Sequence, residues 1–235
     1  MSGIEIVVIM DRSGSMESVR SDMQGGLNNF VEEQQKIDGD ATLTFARFDD
    51  RYEMVHESVP IRSVEADELE LSPRGMTALH DGVGKTLSTV WDNRMDVKVR
   101  NGKVVVLIVT DGLENASTEW TKTGVKEKIE VCEANGWEIV YLGANVDAFS
   151  EGGQLGTTIG KSVGYDPTAA SIAAMYTALN TSVSNFRSGD ADGIVFTASQ
   201  RNSIKAGEGF RAGRLEREEL TRNLVAKAER IDSVE

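Results

Sequence analysis

The sequence is poor in cysteine, histidine and long apolar runs, and these shortages exclude several classes of protein. Its 235 residues include one cysteine and two histidines. The lone Cys132 allows no internal disulfide and no cysteine-based zinc site, and its place in the apolar stripe of a predicted helix indicates a buried residue. The apolar run 4–10 is too short to span a membrane, and no basic segment precedes it. We therefore expect a cytoplasmic protein that has no membrane partner.

Basic residues are also scarce. The chain has 25 Lys and Arg against 38 Asp and Glu, a formal net charge of −13 at pH 7. Because such a charge repels phosphate backbones, we do not expect nucleic acid as a partner. Apolar residues make up 40% of the chain, which is enough for a sizeable core. The length suits one domain, alone or with an appendage.

Apolar runs of strand length alternate with helical stripes over residues 1–188. The predicted strands are residues 4–10, 42–48, 52–59, 103–110, 138–142 and 161–164. The turn at Asp49 and Asp50 makes the third strand antiparallel to the second, at an edge of the sheet. This alternation predicts a doubly wound α/β domain with a mostly parallel central sheet, one antiparallel edge strand and helices on both faces.

Three local signals refine the predicted helices. Gly25 and Gly26 lie inside the first helix at a cost of about 1 kcal/mol each, which close packing on the sheet would explain. Asp147 marks the start of a short helix. Asp166 and Pro167 predict the N-cap and the first residue of the last helix of the domain.

The pattern weakens beyond residue 188. Residues 189–213 are rich in Gly, Ser, Ala and Asn, and residues 215–231 have the pattern of a charged helix. We therefore divide the chain into a domain, 1–188, and a segment that consists of a linker and a helical tail, 189–235. Two roles are open for the tail, which either docks on the domain or acts as a partner-binding or dimerising helix.

Five side chains that carry oxygen stand at or near predicted strand ends. Asp11 follows the first strand and opens an Asp-x-Ser-x-Ser loop, which adds Ser13 and Ser15. Asp111 follows the most apolar strand, and Thr77 comes from a separate loop between the two. Ligands of open α/β sheets bind beyond the carboxyl ends of the strands, so the two carboxylates should lie a few ångströms apart. They would repel each other unless a cation lies between them.

The donor set predicts both the cation and the partner. Hydroxyl and carboxylate oxygens suit Mg²⁺, Mn²⁺ or Ca²⁺. Two carboxylates and three hydroxyls leave such an ion short of charge and short of a ligand, and Mg²⁺ requires near-octahedral coordination. An Asp or Glu carboxylate of a partner protein would fill the open position. The sequence therefore predicts metal-bridged protein binding, with no catalytic residue.

Simpler structural roles exist for several of these residues. Ser13 or Ser15 alone could cap a helix, and only the ordered combination of donors favours a metal. Asp81 either supports the site or stabilises a helix N-terminus. Glu114 and Asn115 either surround the site or are solvated loop residues.

Two glycine-containing segments partly match the motifs of a phosphate-binding loop and of a hydrolase nucleophile. Residues 84–86 (GKT) lack the earlier glycine that a phosphate-binding loop requires, because Leu79 stands there. Residues 160–164 (GKSVG) match the pattern of a hydrolase nucleophile, but such hydrolases need a later histidine. His56 and His80 both precede that segment, and we expect them to be surface or packing residues. We therefore expect neither nucleotide binding nor hydrolase activity.

The site motifs resemble the metal-ion-dependent adhesion site of von Willebrand factor type A domains. The resemblance is carried by DRSGSM, by the threonine of RGMTALHDG and by VTDGLENAS. It continues through GWEIVYLGANVDAF, which is similar to small prokaryotic and phage-encoded A-domain proteins, and covers roughly residues 3–187. It implies that the three hydroxyls contact the metal directly, and that the two carboxylates bind directly or through water.

Two other functions remain as alternatives. Members of the family also act in complex assembly and as partners of AAA+ ATPases, so the chain could be an accessory subunit of an ATPase, phage or stress-response complex that docks through residues 189–235. A metal-assisted phosphohydrolase is a remote alternative. Against it, the motif contains no general base besides the metal-binding carboxylates, and aspartate-nucleophile phosphatases would have a second Asp at Ser13. The sequence indicates no oligomeric state.

Overall fold

A six-stranded sheet forms the centre of the structure, a computed structural model that describes residues 3–95, 102–144 and 148–205. The strands in chain order are β1 (Ile4–Asp11), β2 (Ala41–Phe48), β3 (Tyr52–Pro60), β4 (Lys103–Thr110), β5 (Trp137–Ala144) and β6 (Ser162–Tyr165). Their order across the sheet is β3-β2-β1-β4-β5-β6. Only the pairing of β2 with β3 is antiparallel within the described residues. The predicted sheet with one antiparallel edge strand is therefore confirmed.

Helices cover both faces of this sheet. In chain order they are α1 (Arg20–Lys36), α2 (Leu79–Met95), α3 (Lys122–Ala134), α4 (Ala148–Gln154), α5 (Ala169–Ser188) and α6 (Ala198–Lys205). One apolar cluster joins α1, α5 and α6 to one face, and a second joins α2 and α3 to the other. The doubly wound arrangement predicted from the alternation is confirmed.

Strand β1 lies between the two helix layers, and its burial on both faces explains its nearly continuous apolar sequence. All its residues are buried. Successive side chains point to opposite faces, so Val8 packs in the α1/α5/α6 cluster and Ile9 in the α2/α3 cluster. The charged Glu5 is also buried, and it pairs with Arg94 of α2 at 3.1 Å. A strand that is buried on both faces ends where a polar loop is required, and here that end is Asp11.

The glycine pair inside α1 has a different cause from the one expected. A side chain at Gly26 would overlap the ring of Tyr176 on α5, whereas a side chain at Gly25 would meet open space. Close packing is therefore present, but it occurs between two helices and at one of the two glycines only. The expected packing against the sheet was wrong.

The start of α5 also differs from the prediction. Thr168 is the N-cap, and its hydroxyl accepts a hydrogen bond from the backbone N–H of Ser171 at 3.3 Å. The backbone N–H of Thr168 in turn donates to the carbonyl of Asp166 at 2.7 Å, so Asp166 and Pro167 form a turn before the helix. The predicted cap was wrong because the threonine hydroxyl takes that role. Asp147 lies outside the described residues.

Part of the C-terminal segment packs on the domain. Ile194, Phe196 and Ile204 are buried in the same apolar cluster as α1 and α5. Helix α6 was not predicted from the sequence. The boundary at residue 188 stays a prediction, and the predicted helix 215–231 lies outside the described residues.

Cys132 lies on α3 and is buried in the α2/α3 cluster, as expected from its stripe. Burial raises the pKa of its thiol to about 12, because the charged thiolate is poorly solvated there. No helix in the described parts of the chain has both the length and the apolar character needed to cross a membrane.

Candidate metal centre

The predicted donors lie at the point where the strand order reverses. From β1 the chain builds the sheet outward through β2 and β3, and it then returns to place β4 on the other side of β1. Asp11 is the last residue of β1, and Asp111 directly follows β4. Since β1 and β4 are parallel neighbours, both carboxylates leave the sheet at the same edge. This is the position at which doubly wound sheets bind ligands.

A chain of short hydrogen bonds joins four of the five predicted residues. The backbone N–H of Ser13 donates to Asp11 Oδ1 at 2.6 Å, and Ser13 Oγ lies 3.1 Å from Ser15 Oγ. Ser15 Oγ then donates to Asp111 Oδ1 at 2.6 Å. Thr110 adds a contact that the sequence did not predict, because its hydroxyl donates to Asp11 Oδ2 at 2.6 Å. The loop after β1 and the end of β4 therefore form one polar unit.

Thr77 joins this unit beside Gly112. A Cβ atom built on Gly112 would lie 3.1 Å from Thr77 Oγ1, 3.5 Å from Ser15 Oγ and 3.9 Å from Asp11 Oδ2. Three predicted oxygen donors from two segments, loop 11–15 and the loop that contains Thr77, therefore surround one point, which a side chain at position 112 would fill. We call this point the cradle. Ser13 and Asp111 each contact the Ser15 hydroxyl, so all five residues predicted from the sequence lie in one connected group.

The backbone of Thr77 is held by the loop that follows β4. Its N–H donates to Asn115 Oδ1 at 2.9 Å, and its carbonyl accepts from the Asn115 N–H at 3.0 Å. The next residue, Ala78, donates its N–H to the carbonyl of Asp49 at 2.8 Å. Asn115 is therefore not a free solvated residue, since it fixes the position of one donor of the cradle.

An ion-pair cluster of Arg12, Asp49, Glu53 and Arg74 connects the ends of β1 and β2 with β3 and with the loop that contains Thr77, which we call the Thr77 loop. Arg12 and Asp49 are buried, whereas Glu53 and Arg74 are about half exposed. Arg12 Nε lies 2.9 Å from Asp49 Oδ2, in the orientation of an ion pair rather than a hydrogen bond. Arg12 Nη1 donates to Glu53 Oε2 at 2.8 Å, and Arg74 Nε donates to Asp49 Oδ2 at 2.6 Å. Burial alone would raise the pKa of Asp49, but hydrogen bonds from Arg74 and Arg51 and the charge of Arg12 lower it. Asp49 is therefore a charged anchor.

Asp81 anchors the loop between β4 and α3. Its carboxylate accepts hydrogen bonds from the backbone N–H groups of Thr118, Glu119 and Trp120 at 3.0, 3.0 and 2.7 Å. Burial alone would raise the pKa of Asp81, but these backbone donors outweigh it and lower the pKa. Asp81 therefore supports the site by positioning a loop.

Glu114 is engaged in the same loop. Its Oε1 accepts from the N–H groups of Ala116 and Ser117 at 2.9 and 2.7 Å, and its Oε2 accepts from the N–H of His80 at 2.9 Å. Burial is the main cause that lowers the pKa of His80, whose Nδ1 lies 3.6 Å from Glu114. Glu114 joins the start of α2 to the loop after β4.

The electrostatics of the cradle favour a bound cation. Burial raises the pKa of Asp11 to about 6, although hydrogen bonds from Thr110 and Ser13 act in the opposite direction, and the charge of Asp111 raises it further. Burial also raises the pKa of Asp111. Two close, poorly solvated carboxylates are stabilised by a positive charge between them. The described residues contain no group of three or more His, Cys, Asp or Glu suited to a metal, so a site here depends on hydroxyl donors. Such oxygen donors fit Mg²⁺, Mn²⁺ or Ca²⁺.

Solved structures share this architecture. A von Willebrand factor type A protein from Catenulispora acidiphila matches with a TM-score of 0.54 and 16% identity, over 78% of this chain and 43% of that chain. The corresponding domain of the type V pilus tip protein Mfa5 from Porphyromonas gingivalis matches with a TM-score of 0.55 and 9% identity, over 78% of this chain and 96% of that chain. The fold is that of a von Willebrand factor type A domain.

A third structure with the A-domain fold carries a metal. Proximal thread matrix protein 1 from the mussel byssus, with zinc in its metal-ion-dependent adhesion motif, has a TM-score of 0.57 and 16% identity, over 77% of this chain and 46% of that chain. This chain spans less than half the length of the mussel and Catenulispora chains. No family model and no curated protein matches the sequence. The A-domain fold expected from the motifs is thus confirmed by structure.

Proposed function

We propose that this chain is a metal-dependent protein-binding module, whose cation is held by the five oxygen donors around the cradle: Asp11, Ser13, Ser15, Thr77 and Asp111. The observation that carries the proposal is the convergence of hydroxyl and carboxylate oxygens on one point beside Gly112. A bound Mg²⁺ or Mn²⁺ would supply positive charge and an open coordination position. The zinc in the corresponding motif of the mussel protein supports a divalent ion here.

The partner of such an ion is a carboxylate. The chain offers two carboxylates and three hydroxyls, so an Asp or Glu of a partner protein would complete both the charge and the coordination. The net charge of −13 repels acidic partners at long range, so recognition must occur locally, at the ion. Because the net negative charge of the protein repels an acidic partner, binding of that partner should depend strongly on the metal ion.

We infer a binding function rather than catalysis. Asp81 in the first turn of α2 and Glu114 in the loop after β4 each accept several hydrogen bonds from backbone N–H groups. Their oxygens are engaged in holding loops, so neither is available as a general base. The alternative of an assembly subunit that docks through residues 189–235 would use the same site, and it stays a prediction.

Cation titration of two matched aspartate variants tests the metal site. Asp111→Ala should lower the affinity for Mn²⁺ or Mg²⁺ by more than about 100-fold, because the loss of a supporting residue alone costs about 10- to 100-fold. The matched control is Asp166→Ala, since Asp166 also follows a strand end but lies beyond β6. The control should bind the cation like the wild type, and both variants should keep their circular dichroism spectra. Unchanged cation affinity in Asp111→Ala would refute the assignment.

A pull-down from a lysate of the source cells tests the partner chemistry. The bait would be the wild type in Mg²⁺, the wild type in EDTA and Asp111→Ala in Mg²⁺. A protein retained only by the wild type in Mg²⁺ is the expected result. A protein retained in all three conditions would place the binding surface away from the cradle.

A further inference from the structure

Exposed apolar side chains flank the proposed metal site. Met76 directly precedes one donor and is 57% exposed, and Leu113 lies two residues beyond another and is 68% exposed. Among the described residues, the other large apolar side chains with such exposure are Val131 at 46% and Val195 at 63%. Single exposed apolar residues need no explanation, but two of them beside a proposed binding centre indicate a contact surface.

A pocket opens beside Leu113. It has a volume of about 300 Å³, and its apolar wall is formed by Leu79, Leu113 and Leu155. Leu79 and Leu155 are buried whereas Leu113 is exposed, so the apolar wall extends from the surface into the interior. Ligand pockets range from about 300 to 1,000 Å³, so this one suits one or two side chains better than a large cofactor. We call it the leucine pocket.

The charges around the leucine pocket favour an acidic segment. Glu114 lines it and is ionised, but both of its oxygens accept hydrogen bonds from backbone N–H groups, whose partial positive charges offset part of its own. Lys122 also lines it, is exposed and donates to the side chain of Gln154. Within the described residues no carboxylate pairs with Lys122, so a positive charge stands at the pocket of an otherwise acidic protein. Such a charge attracts a segment that carries carboxylates.

We propose that the partner segment carries a bulky aliphatic side chain one or two residues from its metal-bound Asp or Glu, and that this side chain fills the leucine pocket. The inference rests on the proposed function. Leu113 and Asp111 are two residues apart, so their Cα atoms are separated by at most about 7.6 Å. An extended partner segment covers about 7 Å in two residues, which matches this separation. The metal ion would therefore bind the partner's Asp or Glu, and the leucine pocket would select the aliphatic side chain that lies next to it.

Selection from a peptide library tests this pairing. Phage-displayed heptapeptides with a central Asp and six randomised positions would be bound to the full chain in Mn²⁺ and eluted with EDTA. We expect enrichment of Leu, Ile, Met and Val within two positions of the Asp. Replacing that aliphatic residue by Gly in a selected peptide should weaken binding about tenfold or more, because a buried aliphatic side chain contributes at least that factor.

Two matched variants separate the pocket from the metal. Leu113→Gln should lose the aliphatic preference and about tenfold in peptide affinity while it keeps the wild-type Mn²⁺ affinity. Val195→Gln, an equally exposed position beside Gly160, should change neither property.

The possible failures are distinguishable. EDTA-sensitive peptides without an aliphatic preference, or with a preference that survives in Leu113→Gln, would overturn the pocket and leave the metal-bridged function intact. A chain that binds Mn²⁺ but selects no EDTA-sensitive peptide would overturn both the pocket and the acidic partner. Failure to bind Mn²⁺ at all would overturn the proposed function itself.

Discussion

The cradle is built from two loops that are positioned in different ways. The loop 11–15 is closed by its own short-range bonds, such as that from the Ser13 N–H to Asp11 at 2.6 Å. Thr77 is held instead by Asn115, which is 38 positions away in the sequence, and its neighbour Ala78 is held by Asp49. Loop 11–15 therefore has short-range bonds of its own in addition to its bonds to distant residues such as Gly75, Thr110 and Asp111. Thr77 is held by distant residues.

This difference determines which substitutions should damage the site. Changes at the distant anchors of the Thr77 loop should disturb the cradle although they touch no donor. Changes of similar size on the exposed side of loop 11–15 should have little effect. Four variants, ordered from the largest expected effect to the smallest, test the comparison.

Asp49→Ala should have the largest effect on stability. Asp49 is buried and pairs with both Arg12 and Arg74, so its removal leaves the buried Arg12 without its buried partner and with the half-exposed Glu53 alone. We expect the free energy of unfolding to fall by about 3–5 kcal/mol, measured by urea denaturation. Asp92→Ala on the exposed side of α2 is the control and should change it by no more than about 0.5 kcal/mol. Equal effects in the two variants would show that the ion-pair cluster does not stabilise the fold.

Asp81→Asn should have a smaller effect that depends on pH. The pKa of Asp81 is lowered in the folded protein, so its stabilising contribution is complete above the unfolded value of about 3.9 and is lost as the pH falls through the lowered value. At pH 7 the variant should lose about 2 kcal/mol, because three backbone donors lose a charged acceptor. The difference between wild type and variant should shrink as the pH is lowered below about 4. A constant difference between pH 7 and pH 3 would contradict a charged anchor.

Asn115→Ala should weaken the metal site while the fold survives. It removes the acceptor of the Thr77 N–H, so the hydroxyl of Thr77 loses its fixed position. Supporting residues of this kind typically contribute 10- to 100-fold to metal affinity, and we expect about a tenfold loss in a Mn²⁺ titration. Asn93→Ala on the exposed side of α2 provides the asparagine control. If Asn115→Ala binds Mn²⁺ with wild-type affinity, Thr77 does not depend on this distant anchor, and the proposed difference between the two loops is wrong.

Ser18→Ala should have the smallest effect. The Ser18 hydroxyl donates to the carbonyl of Ser15 at 3.3 Å on the exposed side of loop 11–15. Its loss should change the free energy of unfolding by less than about 0.5 kcal/mol and leave Mn²⁺ affinity within about twofold. If Ser18→Ala weakens Mn²⁺ binding more than Asn115→Ala does, the comparison between the loops is reversed.

The same contrast explains what could be predicted from the sequence. Periodicity and strand ends suffice for the fold class and for the approach of Asp11 to Asp111, because parallel neighbours end at one edge of the sheet. The pairing of Arg12 with Asp49 follows from the register of β1 against β2, which no local pattern encodes. Thr110 was missed because a hydroxyl at the end of a strand has many ordinary uses.

The helices show a similar limit. Helix α6 has Ile204 as its one buried residue, so its sequence carries no apolar stripe. The glycine pair of α1 indicates a close approach but cannot identify Tyr176 as the neighbour. Local patterns predict that an element exists, whereas its neighbours are fixed by the assembled fold.

The single buried thiol has a practical consequence for studying this protein. Cys132 is buried, and burial raises its pKa to about 12, so maleimide reagents should react very slowly with the folded chain at neutral pH. A cysteine introduced at position 113 would then be the sole reactive group and would carry a fluorescent dye next to the leucine pocket. The slow labelling of Cys132 itself would report how often α3 separates from the sheet.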